Sequence, residues 1–211
     1  MVDVDPGLVA VLVVAVFFLG WYYAAYIFSR RLAGRVAKEL KAAVLALGGK
    51  ARIQWFGTTA FRMTTEGADP PFREFSVTVT LRPREMPINW ALGTAQGRRD
   101  AALVEASLRK TPRTGFELVD PETRIGRRRE RAKTGWVKIS LAGREYAVDA
   151  EDYSEAQRTL GALGAEAIAP IMALHVTAGS EPGIAASISV EPGHPARGLA
   201  TIRTLAERLV G

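Results

Sequence analysis

The chain has 211 residues, 48% of them hydrophobic and 24% charged, and no cysteine. That composition excludes a disordered polyelectrolyte, and the lack of thiols excludes disulfides, cysteine nucleophiles and cysteine-bound zinc. The formal net charge is +6, but residues before Ser29 carry only Asp3 and Asp5, so 28 basic and 20 acidic side chains follow, a net of +8. Such an excess favours polyanionic partners such as RNA or an anionic lipid surface.

Gly7 to Phe28, GLVAVLVVAVFFLGWYYAAYIF, contains 22 residues without a charge. As an α-helix rising about 1.5 Å per residue it covers the ~30 Å hydrocarbon layer of a bilayer. Residues 1–28 therefore read as an N-terminal transmembrane anchor. A cleaved signal peptide would have a basic start and a shorter apolar stretch, and a pilin-like segment would have a basic leader. Trp21, Tyr22, Tyr23 and Tyr26 gather at one end of the span, followed by Arg30, Arg31 and Arg35, and all seven are expected at the membrane interface. The basic flank after the span and Asp3 and Asp5 before it place the N-terminus outside and the rest of the chain on the cytoplasmic side of the cell membrane.

Residues 29–50 read as a juxtamembrane amphipathic helix with Leu32, Val36, Leu40, Val44 and Leu47 on one face, ended by Gly48 and Gly49. It either continues the span as a stalk or bends to pack on the domain. Residues 51–211 read as one cytoplasmic α+β domain. Strands are expected at Arg52–Phe56 and Ala60–Thr64, joined through Gly57 to Thr59, and at Phe75–Leu81 after the GADPP loop. A helix is expected from Pro87 to Lys110, interrupted near Gly93 or Gly97, then a strand at Phe116–Val119. Val137–Leu141 and Tyr146–Val148 form a second hairpin through Ala142 to Arg144. Ser154–Leu174 reads as a helix capped by Asp152 or Ser154, with Gln157 closing the cap. A strand at Ile184–Val190 and a helix at Ala196–Val210 complete helices packed on a mostly antiparallel sheet.

No dinucleotide fingerprint, phosphate-binding loop or nucleophile elbow is present. His175, at the end of a helix, and His194, in a Pro-Gly loop, have no partners at ligand spacing. The acidic run Asp149, Glu151, Asp152 and Glu155 is explained by helix N-terminal charge preference better than by a cation site. A non-enzymatic protein is expected, with no catalytic residue, metal, cofactor or small-molecule substrate. One constellation stands apart: RIGRRRERAK, where Arg124, Arg127, Arg128, Arg129, Arg131 and Lys133 surround the single Glu130. Guanidinium groups suit bidentate phosphate contacts, so this stretch, expected as a projecting loop or extended hairpin, is the candidate site for RNA or lipid phosphate.

Three stretches carry a resemblance: FSVTVTLRPREMPINWAL from Phe75, GWVKISLAGREYAVDAED from Gly135, and IAASISVEPG from Ile184 before a short terminal helix. Together with a single span ahead of an α+β domain, the chain resembles the calumin family, coiled-coil-containing accessory proteins of the multipass translocon of the endoplasmic reticulum. The resemblance implies a protein beside a protein-conducting channel that touches the ribosome and assists insertion of multispanning clients. The chain departs from the family in having no long acidic segment before the span and no basic coiled coil after the last helix. Calcium binding is therefore not carried over, and the ribosome contact would fall to Arg124–Lys133. The competing expectation is a structural subunit of a membrane complex or surface apparatus, or an anionic-lipid-binding module.

Overall fold

A computed structural model describes residues 5–141, 143–179, 181 and 183–211. Asp3, and Ala142 in the turn of the second hairpin, lie outside the described residues. The elements in chain order are α1 (Pro6–Leu45), β1 (Lys50–Trp55), β2 (Ala60–Glu66), β3 (Phe72–Thr80), α2 (Pro87–Ala95), β4 (Ala101–Leu108), β5 (Phe116–Val119), α3 (Arg124–Ala132), β6 (Val137–Leu141), β7 (Arg144–Ala150), α4 (Tyr153–Gly161), α5 (Ala165–Ile168), β8 (Ile171–Thr177), β9 (Gly183–Ser189) and α6 (His194–Val210). The fold is α+β: the strands form one sheet in the order β1-β2-β3-β4-β9-β8-β5-β7-β6, antiparallel at every pairing.

The expected span and juxtamembrane helix are one element. Helix α1 runs 40 residues without a break, starting with Pro6 at its first turn and with the Asp5 side chain accepting from Gly7 N. It is the helix in the described residues long and apolar enough to cross a membrane. Leu8 to Leu19 are exposed along it, whereas Ala25, Ser29, Ala33, Val36, Leu40 and Val44 are buried at intervals of three or four. That spacing lays one stripe of the helix on the domain. The two sequence alternatives combine: the helix continues without a break, and its second half packs on the domain.

Helix α6 buries Leu199, Ile202, Leu205 and Leu209 in the same core as Val36, Leu40 and Val44, against Phe61, Val77, Val104 and Ile188 of the sheet. A Cβ on Gly198 would stand 2.6 Å from Ile188 Cγ2, so α6 approaches β9 closely only because that position is glycine. The opposite face of the sheet is covered locally: Val119, Ala147 and Ala173 pack with Ile125 of α3 and Trp136. Leu118 and Leu174 turn to the first core, and their neighbours Val119 and Ala173 to the second, by the period-two alternation of strands.

Several sequence expectations are corrected. Ala101–Leu108, expected as the end of a helix, is the interior strand β4, paired with β3 and β9, with Ala102, Val104, Ala106 and Leu108 buried. Ser154–Leu174, expected as one helix, is α4, α5 and most of β8. Asp152 is the α4 cap, accepting from Glu155 N at 3.0 Å, a position Gln157 does not share. His175 consequently lies in β8, and His194 begins α6.

Candidate membrane and polyanion interface

The arginine-rich stretch is a helix, not a loop. Thr123 caps α3, its hydroxyl accepting from Gly126 N at 3.0 Å and donating to Asp120 O at 2.8 Å. Arginine is a good helix former, and the cap supplies the start that charge density alone did not reveal. A Cβ on Gly126 would lie 1.8 Å from Asp120 O, so the helix is seated directly on the end of β5.

This seating sorts the six basic residues. Arg129 Nη1 lies 2.5 Å from Glu117 Oε1 of β5, and Lys133 is ion-paired with Asp149 of β7. The Asp149 hydrogen bond holds the Lys133 ammonium above its usual pKa. Arg127 donates to Glu122 O at 2.7 Å and Arg124 to Gln96 Oε1 at 3.3 Å, neither acceptor being charged. Among the described residues, Arg128 and Arg131 are exposed and make neither an ion pair nor a hydrogen bond. Positive charge is thus concentrated on the outer face of α3, while its inner face is neutralised by the sheet.

Asp120 anchors the base of this helix. Its buried carboxylate receives Arg144 Nη2 at 2.8 Å and Glu122 N at 2.9 Å, and Arg144 also lies over the Tyr146 ring. Burial pushes the Tyr146 phenol up from its ordinary pKa, with Arg144 opposing the shift.

The interface aromatics divide. Tyr22 and Tyr23 are exposed and Tyr26 is half-buried. Trp21 turns inward: its Nε1 donates to Arg84 O at 2.9 Å, and its ring sits 5.7 Å from that of Trp90 in α2. Arg30, Arg31 and Arg35 are exposed beyond it. Arg84 places its guanidinium 5.3 Å from the Phe28 ring centroid and 2.5 Å from Asp100 Oδ2. Sequence reasoning marked Trp21 but had no means to find Arg84, Trp90 or Asp100, whose roles arise from contacts between distant segments. Between the end of α2 and the start of α3 lies a cavity of about 260 Å³ bordered by Arg82, Arg98, Arg99, Arg124 and Met172. The basic helix and α2 are therefore neighbours at the end of the sheet from which the apolar part of α1 projects.

No protein-family model and no curated protein sequence matches the chain. Among solved structures, that of the mycobacterial trehalose monomycolate transport factor A is similar, with a TM-score of 0.42 and 10% sequence identity over 83% of this chain and 96% of that one.

Proposed function

We propose that the chain is a single-pass, non-enzymatic accessory protein, N-terminus outside, that holds an α+β domain against the cytoplasmic face of a membrane as part of a larger membrane complex. The observation that carries this reading is α1 itself: its first half exposes apolar side chains on all sides, and its second half is built into the core. A helix apolar around its whole circumference and unpacked by protein calls for lipid. Arg30, Arg31 and Arg35, exposed past the span, support the orientation, with Asp5 at the other flank. The two displaced pKa values fit structural roles, since Lys133 answers to an ion pair and Tyr146 to burial.

Accessibility of single cysteines to a membrane-impermeant thiol reagent in intact cells tests the topology. Asp5→Cys should label from outside and Arg128→Cys only after lysis, and the reverse pattern would overturn the orientation.

A second reading, a role in membrane-protein insertion beside ribosome and translocon, is favoured by Arg128 and Arg131, which α3 leaves unneutralised. A phosphate backbone would meet them with release of counterions. In ribosome co-sedimentation, Arg128→Glu with Arg131→Glu should weaken binding and flatten its salt dependence. Equal binding by the double variant, or its loss only from vesicles of anionic lipid, rejects the ribosome contact.

A further inference from the structure

Helix α2 exposes Ile88 and Leu92 one turn apart, with the polar Asn89 and Thr94 also exposed, and its Trp90 touches Trp21 of the span. Met86, Ile88 and Leu92 are 59%, 65% and 55% exposed. No charge occurs from Met86 to Gly97, while Arg82, Arg84 and Glu85 precede this stretch and Arg98, Arg99 and Asp100 follow it. Water-facing surfaces seldom leave contiguous apolar groups uncovered. An uncharged helix followed by the exposed Arg98 and Arg99 matches an element lying between acyl chains and headgroups, where long basic side chains reach back toward water.

Depth makes the case specific. About 20 helical residues cross the hydrocarbon layer, and counted from Pro6 at the start of α1 they end at Ala25. Trp21 is one turn inside that limit. It is Trp21 that meets the Trp90 ring at 5.7 Å and donates to the Arg84 carbonyl at 2.9 Å. The chain itself thus holds α2 level with the inner edge of the hydrocarbon. The turn between β1 and β2 lies at the same end of the sheet, tied there by Leu81 N donating to Thr59 O at 2.7 Å. Trp55 and Phe56 beside that turn are 47% and 52% exposed.

We propose that α2 lies in the plane of the membrane beside the span, with lipid acyl chains covering Met86, Ile88 and Leu92, so that the domain is docked on the bilayer at two points. The inference rests on α1 being a membrane anchor. It also brings Arg124, joined to Gln96 at the end of α2, toward the lipid headgroups.

The chain's lack of cysteine allows single-site labelling of the full-length protein. Val14→Cys, Ile88→Cys, Leu92→Cys and Leu45→Cys, each carrying an environment-sensitive fluorophore, would be reconstituted into phosphatidylcholine and phosphatidylglycerol vesicles with brominated acyl chains. All four positions are exposed, so the substitutions leave the core intact. Labels at Ile88 and Leu92 should lose most of their fluorescence, as the label in the span at Val14 does, while the label at Leu45 keeps its own. If Val14 is quenched and Ile88 and Leu92 behave as Leu45 does, the anchor stands and the docking of α2 is overturned. An emission shift at Ile88 without bromine quenching identifies burial by protein instead of lipid, and overturns it equally. If Val14 is not quenched, the anchor reading falls first and the inference with it.

Discussion

Arg84 and Asp100 form an ion pair at 2.5 Å with little exposure of either side chain, and the same guanidinium donates to Arg82 O at 2.9 Å beneath the Phe28 ring. The pair fastens the segment before α2 to the start of β4 at the point where α1 leaves the domain. Arg84→Ala leaves the Asp100 carboxylate with the Arg82 backbone N–H at 2.7 Å and the Arg82 guanidinium at 3.7 Å but without its closest cation. Breaking one partner of a buried pair costs about 3–5 kcal/mol. Denaturant unfolding of the detergent-solubilised chain should show a loss in that range. Arg84→Lys should recover only part of it, because an ammonium cannot satisfy both acceptors and stack on the ring.

Two glycines in helices should respond in opposite directions. Gly126→Ala forces a methyl group against Asp120 O at 1.8 Å and must displace α3. Overpacking of this kind costs about 1–3 kcal/mol or more. Gly34 in α1 has nothing within 4 Å of a built Cβ. Gly34→Ala should therefore stabilise the chain by up to about 1 kcal/mol through helix propensity. Unfolding midpoints of the two variants check the contrast, and a neutral Gly126→Ala would show that α3 is not seated as described.

Alkaline pH should weaken the fold from a defined point. Tyr146 and Lys133 both have pKa values raised in the folded chain, from ordinary values of 10.0 and 10.5. Above those values the unfolded chain has released protons that the folded chain retains, so stability falls as pH rises, and below them these contributions are complete. The melting temperature should be insensitive to these two groups from about pH 7 to about pH 9 and should drop above about pH 10. Tyr146→Phe should remove much of the drop, and an unchanged alkaline limb in that variant would assign it elsewhere.

Helices α1 and α6 cap each other. Arg203 Nη1 of α6 donates to Ala46 O at the end of α1 at 2.7 Å, and Glu39 of α1 accepts from Ala196 N in the first turn of α6 at 3.3 Å. A cation thus meets a helix C-terminus and an anion a helix N-terminus, each worth about 0.3–1 kcal/mol when exposed. Arg203→Ala should lower stability by that amount, with the loss shrinking at high salt. A loss indifferent to salt would point to packing of the arginine stem instead.

The long apolar helix and both hairpins were legible because their signals are local: an uncharged run from Gly7 to Phe28, and alternating strands meeting at Gly57 and near Gly143. Ala101–Leu108 was not legible, since AALVEASL contains good helix formers and only its place between β3 and β9 makes the alternation of Ala102, Val104 and Ala106 decisive. Ser154–Leu174 misled for a related reason: its apolar residues also fit a helix face, and the break lies at Gly164, with φ +80. In the candidate site, the six basic residues were found by charge density, but their division into paired and free depends on Glu117 and Asp149, strands away in sequence. The Trp21–Trp90 contact joins residues 69 positions apart, which no periodicity encodes.

Under the proposed anchoring, the unbroken course of α1 makes its apolar half and the domain a single lever. A helix of 40 residues is about 60 Å long, so tilting it by the ~20° common for membrane helices would swing its far end by roughly 20 Å. With no break in α1 to absorb such a swing, a change of tilt would carry the whole sheet with it.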